Sequence, residues 1–284
     1  MQIIVSKHIG FCSGVKRCVK LVEEYINKGY KVFAYGELLH NEKEIERLKK
    51  LGLEVIEDIE ELKKINENIV LVIRTHGIEK NIYEEICKLE NIIIIDGTCP
   101  IVKKNQNIIN EWTNKGYDAI IYGNIQHPEI KALVSYIAPN TRYYIINSSN
   151  EIENINLSDK MILIAQTTKE TQEYDKIIEK LKKFSNIKIF YSICKETISR
   201  EKETEELSKQ VDCVVVVGGK NSANTKKLVT IAKKYNKNVI VLNSENFKEN
   251  IENINNYKKI GIVSGASTPK WLVEKIVGKI KNSF

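Results

Sequence analysis

The most informative stretch of this sequence is Gly29-Tyr30-Lys31-Val32-Phe33-Ala34-Tyr35-Gly36-Glu37-Leu38-Leu39-His40. It returns without a gap as Gly116-Tyr117-Asp118-Ala119-Ile120-Ile121-Tyr122-Gly123-Asn124-Ile125-Gln126-His127, at an offset of 87 residues. In each copy a short apolar run leads to a glycine and then to a histidine, which is typical of a buried strand that ends in a polar loop. An internal repeat of this kind predicts equivalent structural units within one chain.

The repeat extends outward to three cysteines. Cys12 and Cys99 are also 87 residues apart, and each is followed by a glycine at +24 and a histidine at +28. The same spacing counted from Cys194 reaches a third set of positions, at +24, +28 and +30, which are Gly218, Ser222 and Asn224. Each cysteine follows an apolar run and precedes a helical pattern, so we expect all three to lie at strand ends that face one central point.

Short apolar runs alternate with amphipathic, Lys/Glu-rich segments along the whole chain. The runs that predict strands are 3–5, 32–35, 69–73, 92–95, 119–122, 143–146, 161–165, 187–191, 213–217, 239–242 and 260–263. This βαβα order predicts an α/β protein whose parallel sheets are covered by helices and bind ligands at the carboxyl ends of the strands. With the repeat, it predicts three similar domains in a pseudo-threefold (trefoil) arrangement: residues 13–97, residues 98–192, and residues 193–284 together with 1–12.

Composition excludes several classes of protein. The 284 residues contain 29% charged residues and carry a formal charge of +7. Both signs are interspersed along helical segments such as 42–51, which favours solvated helix faces over a nucleic-acid surface. No apolar run is long enough to span a bilayer and the first residues do not resemble a secretion signal, so we expect a cytoplasmic protein without nucleic-acid or membrane partners.

The six cysteines form no CxxC pair, so a disulfide framework is not expected in such a chain. Cys18, Cys87 and Cys213 have no counterparts in the repeat, and we assign them to packing in the interior. Three thiolates around one point suit a sulfur-seeking metal centre, either zinc or an iron-sulfur cluster. Structural zinc normally has four protein ligands and catalytic zinc commonly uses histidine, whereas a [4Fe-4S] cluster on three cysteines leaves one iron open for substrate.

Polar side chains follow the predicted strands and suggest the class of substrate. Neutral or weakly basic hydrogen-bond donors at strand ends suit phosphate oxygens. These donors are His40, His76, His127, Thr167, Thr168, Ser222, Asn224 and Ser267. Glu129 is the candidate proton donor, because it is coupled to His127 through Pro128; its alternative role is that of an ordinary glutamate at a helix start.

A family resemblance extends through the whole chain. Its motifs are Gly10-Phe11-Cys12-Ser13-Gly14-Val15, Leu39-His40-Asn41, Thr75-His76-Gly77, Asp96-Gly97-Thr98-Cys99-Pro100, His127-Pro128-Glu129, Gln166-Thr167-Thr168, Ile193-Cys194, Asn221-Ser222-Ala223-Asn224 and Gly265-Ala266-Ser267. In these motifs the chain resembles the 4-hydroxy-3-methylbut-2-enyl diphosphate reductases, iron-sulfur oxidoreductases that catalyse the last step of the methylerythritol phosphate route to isoprenoids. One departure is Ala223, where the family often has a second serine.

The resemblance implies a role for each candidate residue. Cys12, Cys99 and Cys194 would hold an oxygen-sensitive [4Fe-4S] cluster. The substrate hydroxyl would leave as water with two electrons and two protons, giving isopentenyl and dimethylallyl diphosphates. The diphosphate would be bound by His40, His76, His127, Ser222, Asn224 and Ser267. The catalytic residues would be Glu129, His127 and Thr167. Among these, Glu129 would relay protons and Thr167 would orient the substrate hydroxyl. Ferredoxin or flavodoxin would be the electron donor.

Two other readings remain open from the sequence. A protein similar to quinolinate synthase would also join three similar domains around a three-cysteine cluster, although the loops at 127–129 and 166–168 argue against it. A non-catalytic metal-binding or ligand-binding protein of the α/β class is the second. The two readings differ from a reductase in whether a reduced electron donor is consumed.

Overall fold

The computed structural model describes residues 1–184, 186–219, 222–243, 253–254 and 256–282. Its strands are β1 (Gln2–Val5), β2 (Val32–Tyr35), β3 (Leu53–Ile56), β4 (Ile69–Ile73), β5 (Ile92–Asp96), β6 (Asp118–Tyr122), β7 (Tyr143–Ile146), β8 (Met161–Ala165), β9 (Ile187–Ile189), β10 (Cys213–Val217), β11 (Val239–Leu242) and β12 (Lys259–Ser264). Its α-helices are α1 (Ser13–Asn27), α2 (Glu42–Leu51), α3 (Ile59–Lys63), α4 (Lys80–Ile86), α5 (Pro100–Asn114), α6 (Pro128–Val134), α7 (Thr171–Leu181), α8 (Lys195–Ser208), α9 (Ala223–Tyr235) and α10 (Lys270–Asn282), and a 3-10 helix covers Ser149–Asn154. None of the helices within the described ranges is both long enough and apolar enough to cross a membrane.

The strands form three four-stranded parallel sheets with the same topology. Their strand orders are β5-β4-β2-β3, β9-β8-β6-β7 and β1-β12-β10-β11. In each order the first strand is the one that leads to a repeat cysteine. The expected α/β class with three similar sheets is therefore confirmed, and the third sheet is completed by the N-terminal strand of the chain.

Burial on both faces explains why the central strands read as continuous apolar runs. Every residue of β4, β8 and β10 is buried, so neither face alternates with polar side chains. The edge strands β1, β5 and β9 are only partly buried. The predicted runs match the observed strands within about two residues at their ends, which is the usual uncertainty of boundaries.

One strand lies outside the predictions. β3 pairs in parallel with β2, from Leu53 opposite Val32 to Ile56 opposite Tyr35. Its sequence, Leu-Glu-Val-Ile, is buried at its two end residues and more exposed at its two middle residues, and it follows α2 almost directly. A run of four residues that is interrupted by a glutamate and lies within a charged helical pattern is too short to be recognised from periodicity alone.

Contacts divide the chain into two compact units. Unit 1 consists of Met1–Val19, Leu39–Leu51 and Lys195–Phe284 and contains the sheet β1-β12-β10-β11. Unit 2 consists of Lys20–Leu38 and Gly52–Cys194 and contains the other two sheets. The segment Leu39–Leu51, with His40 and α2, thus groups with unit 1. The predicted domain boundaries stay a prediction.

The cysteines outside the repeat do not all behave as expected. Cys18 and Cys213 are fully buried, on α1 and at the start of β10, as predicted. Cys87 is exposed, so its assignment to the interior is wrong. The reason is local: Cys87 is the C-cap of the short helix α4, and this position leaves its side chain at the surface.

Candidate active site

Each repeat cysteine directly precedes a helix and has the same backbone contact. Cys12 lies before α1, Cys99 before α5 and Cys194 before α8. The backbone N–H of each donates a 3.0 Å hydrogen bond to a carbonyl two residues beyond the neighbouring strand. The acceptors are Ala266 after β12 for Cys12, Thr75 after β4 for Cys99 and Thr167 after β8 for Cys194. The same arrangement therefore occurs three times.

The chemistry of these thiols suits a soft cation. All three are partly exposed. In unit 2, burial raises the pKa of the Cys99 thiol, and the neighbouring Cys194 and Glu129 raise it further. A bound metal would reverse this preference, because it stabilises the thiolate directly, and a helix N-terminus adds a favourable dipole. Three thiols in one repeated setting thus fit a sulfur-ligated metal centre.

Glu129 is buried and is held through both carboxylate oxygens. It lies in the first turn of α6 and is 3% exposed. The backbone N–H of Thr167 donates to Oε1 at 2.6 Å, and the Thr167 hydroxyl donates to Oε2 at 2.7 Å. Burial raises the pKa of Glu129 from 4.5 to about 7, although both hydrogen bonds act to lower it. Glu129 can therefore hold a proton near neutral pH and release it.

A chain of contacts in unit 2 connects this acid to one cysteine. The side chain of Thr167 faces Glu129, while its carbonyl accepts the backbone N–H of Cys194. A change in the position of Thr167 would therefore affect both residues. The sequence placed Thr167 and Glu129 in separate motifs, and only the fold makes them partners.

Two histidines of unit 2 are also in contact. The rings of His76 and His127 meet edge to face, with centroids 5.3 Å apart. His127 is the N-cap of α6, and its Nδ1 accepts the backbone N–H of Glu129 at 3.2 Å. In the neutral ring the proton is then on Nε2, which makes that nitrogen a donor. This geometry suits a group that binds phosphate oxygens.

The predicted anion-binding residues of unit 1 gather at the N-terminus of α9. Ser222 is the N-cap of this helix, and the Ser267 hydroxyl lies 3.4 Å from the Ser222 hydroxyl and 3.3 Å from the His40 carbonyl. Asn224 is 5% exposed, and neither its Oδ1 nor its Nδ2 has a hydrogen-bond partner among the described residues. Buried polar atoms are normally paired, so this amide indicates that a ligand completes the site. Asn221, from the same motif, lies outside the described residues.

Arg200 was not recognised from the sequence. It is 3% exposed on α8, and its guanidinium donates to three backbone carbonyls: His8 at 2.5 Å, Gly10 at 2.8 Å and Ser264 at 3.0 Å. These bonds brace the turn before Cys12 and the loop that leads to Ser267. In the sequence Arg200 is one of many charged residues on α8, and no periodic pattern distinguishes it from the charged residues that face solvent.

The eleven residues to which the family resemblance assigns a role are divided between the two units. Unit 2 contains His76, Cys99, His127, Glu129, Thr167 and Cys194, and unit 1 contains Cys12, His40, Ser222, Asn224 and Ser267. Within unit 2 the structure brings together the acid, its threonine partner and the histidine pair. Within unit 1 it brings together the two serines and the backbone of His40.

Replacing Thr167 with valine is expected to move the pH dependence of any Glu129-based proton transfer. The substitution removes the hydroxyl that donates to Oε2, and this bond favours the charged carboxylate. Its loss should raise the pKa of Glu129 by about one unit. The measurement is the pH profile of kcat, whose decline should begin about one unit higher than in the wild type. Thr167→Ser, which keeps the hydroxyl, is the control; an unmoved profile in Thr167→Val would contradict the role of this bond.

Comparison with known proteins assigns the family. The model of the LytB protein family matches residues 3–281. The chain belongs to the LytB protein family. A relative from Nautilia profundicola, named 4-hydroxy-3-methylbut-2-enyl diphosphate reductase, is 41% identical over 284 residues and 99% of each chain is covered. A relative of the same name from Campylobacter hominis is 39% identical over 282 residues, covering 99% of this chain and 98% of the relative.

Solved structures of the LytB family agree with this assignment. One is described as (E)-4-hydroxy-3-methyl-but-2-enyl diphosphate reductase, the terminal enzyme of the non-mevalonate pathway; it is 31% identical, with a TM-score of 0.73 and coverage of 99% of this chain and 100% of that chain. The E-1-hydroxy-2-methyl-but-2-enyl-4-diphosphate reductase from Plasmodium falciparum is 28% identical, with a TM-score of 0.87 and coverage of 99% of this chain and 88% of that chain. LytB membership removes the quinolinate synthase-like reading.

Proposed function

We propose that this protein is a 4-hydroxy-3-methylbut-2-enyl diphosphate reductase, an iron-sulfur oxidoreductase that acts last in the methylerythritol phosphate route. The observation that carries the proposal is the connection from Glu129 through Thr167 to Cys194. It connects a buried acid with a pKa of about 7, through Thr167, to the backbone of Cys194, which we propose as a thiol ligand. The names of the LytB relatives supply the substrate.

The reaction removes one hydroxyl group at the expense of two electrons and two protons. The C–O bond of the substrate breaks, the hydroxyl oxygen leaves as water, and a C–H bond forms in isopentenyl or dimethylallyl diphosphate. The protonated Glu129 carboxyl would donate to the departing oxygen, since a hydroxide is a poor leaving group without a proton. Thr167 would keep the carboxyl in place and orient the hydroxyl, and His127 fixes the first turn of α6.

The diphosphate would be held by uncharged or weakly basic donors. His40, Ser222, Asn224 and Ser267 of unit 1, and His76 and His127 of unit 2, are assigned to this role. Two observations support this role. The Asn224 amide has no hydrogen-bond partner among the described residues, and the N-terminus of α9 favours an anion. With Ala223 in place of a second serine, one further donor is missing, and the remaining hydroxyls carry the binding.

Cys12, Cys99 and Cys194 would hold a [4Fe-4S] cluster. The repeated backbone setting supports this donor set, because each of the three thiols lies after a strand and directly before a helix. When bound, such a cluster supplies electrons one at a time and an iron with an open coordination position. We propose reduced ferredoxin or flavodoxin as the source of the two electrons.

An anaerobic assay tests the proposed function. Protein purified without oxygen is mixed with reduced methyl viologen and 4-hydroxy-3-methylbut-2-enyl diphosphate. We expect two viologen radicals to be oxidised per substrate, with release of the two isoprenoid diphosphates. The same protein without substrate is the control. Substrate that remains intact while iron and sulfide are fully loaded would contradict the proposal and favour a non-catalytic binding protein.

A further inference from the structure

Thr225 occupies an unusual place at the edge of the sheet in unit 1. A Cβ added at Gly218 or at Gly265 would overlap its hydroxyl oxygen. Gly218 directly follows β10, Gly265 directly follows β12, and these strands are neighbours in the sheet. The Thr225 hydroxyl therefore lies over the carboxyl ends of two adjacent parallel strands, which is where such sheets bind ligands.

The repeat provides a reference for this position in unit 2. Gly123 follows β6 as Gly218 follows β10, and the residue seven positions later is Ile130 in one case and Thr225 in the other. A Cβ at Gly123 would meet the side chain of Ile130 at 2.5 Å. Packing against the strand-end glycine is thus achieved by a purely apolar side chain in unit 2. The hydroxyl of Thr225 is not needed for packing.

This hydroxyl is also unsatisfied within the described part of the chain. Thr225 is 2% exposed, and its Oγ1 has no hydrogen-bond partner among the described residues. Its backbone N–H donates to the Ser222 hydroxyl at 3.3 Å. An isolated buried hydroxyl destabilises a folded protein, so its presence calls for an explanation.

The surroundings of Thr225 favour an anion as the missing partner. Thr225 is adjacent to Asn224, whose buried amide is likewise unpaired within the described residues, and both lie in the first turn of the 13-residue helix α9. That turn contains no acidic residue. Two consecutive buried polar side chains that have no partner in the described part of the chain, at one helix N-terminus, are explained together by a ligand with several acceptor oxygens.

We propose that the Thr225 hydroxyl is a further binding group for the substrate's diphosphate, donating a hydrogen bond to a phosphate oxygen once the anion is bound. This inference rests on the proposed function, which provides the diphosphate. It predicts that the hydroxyl has opposite effects on stability and on binding. It lowers the stability of the ligand-free protein and raises the affinity for the diphosphate.

The test compares Thr225→Val, which replaces the hydroxyl with a methyl group of similar size, with Thr225→Ser, which keeps the hydroxyl. The probe is inorganic pyrophosphate, titrated by calorimetry into anaerobically purified protein without reductant. We expect Thr225→Val to raise the Kd about tenfold and Thr225→Ser to change it by less than about threefold. The Tm of ligand-free Thr225→Val should be equal to that of the wild type or higher by about 2 °C.

Thr230→Val is the matched control, because Thr230 lies on the same helix but is exposed and bonded to the Lys226 carbonyl. It should leave the Kd unchanged. If valine is not accommodated at position 225, the pair Thr225→Ser and Thr225→Ala makes the same comparison, with and without the hydroxyl.

Three results would overturn the inference. The first is pyrophosphate binding by Thr225→Val that is as tight as that of the wild type. The second is equal weakening of binding by the valine and serine variants, because serine keeps the hydroxyl and should bind nearly as tightly as threonine. A clear fall in the Tm of ligand-free Thr225→Val would show that the hydroxyl already has a partner inside the protein. Failure of the wild type itself to bind pyrophosphate is a different result, and it would refute the proposed diphosphate site as a whole.

Discussion

Glu129→Gln is expected to lower kcat about a thousandfold, because general acid catalysis contributes roughly 10²- to 10⁴-fold and the glutamine amide has no acidic proton to transfer. The amide keeps the shape of the carboxylate, and its oxygen can still accept the Thr167 N–H. We therefore expect KM to change only a few-fold and the iron content to stay at the wild-type level. Steady-state kinetics and iron analysis on the same preparation measure all three.

The pH dependence of the wild type follows from the same residue. Its pKa is raised to about 7 by burial, so the acid form dominates below that pH and is lost as the pH rises through it. We expect kcat to be nearly constant below about pH 7 and to fall about tenfold per unit well above it. The residual activity of Glu129→Gln should lack this decline.

Glu173→Gln is the control for Glu129→Gln. The Glu173 carboxylate also accepts a backbone N–H, that of Ser149 at 2.7 Å, but this bond lowers the pKa of Glu173 to about 2 and keeps it ionised. Its substitution should leave kcat unchanged. Equal activity of Glu129→Gln and wild type, with a loaded cluster, would contradict the role of Glu129 as proton donor.

Serine at any one of the three repeat cysteines is expected to remove most of the iron and acid-labile sulfide and, with it, nearly all activity. A hydroxyl replaces the thiolate that a soft metal prefers, and two remaining cysteines leave the cluster short of a ligand. The variants are Cys12→Ser, Cys99→Ser and Cys194→Ser. Iron and sulfide per chain, measured after anaerobic purification, are the readout.

Cys87→Ser and Cys18→Ser are the controls for these variants. Cys87 is exposed at the end of α4, and Cys18 is buried in α1. Both should keep the wild-type iron content. Comparable iron retention in all five variants would refute the assignment of the ligands, because it would make the position of the thiol irrelevant.

The repeat in the sequence determined a large part of this protein. Continuous apolar runs such as Ile69–Ile73 and Cys213–Val217 could be assigned as strands because strands buried on both faces are apolar throughout. The 87-residue offset placed Cys12 and Cys99 in equivalent positions, and the structure gives them the same backbone hydrogen bond. Information of this kind is local, since it depends on spacing along the chain.

Other properties depend on which distant residues pack together, and only the tertiary structure decided them. The pKa of Glu129 is high because the fold buries its carboxyl, and the hydrogen bonds from Thr167, 38 positions away, offset this effect only in part. Arg200 supports the Cys12 turn through carbonyls that any residue could supply, so no side-chain pattern marks it. Thr225 differs from an ordinary helix-capping threonine because two strand-end glycines and a buried surface surround its hydroxyl. Burial and hydrogen-bond satisfaction are properties of three-dimensional packing, and a linear repeat does not encode them by itself.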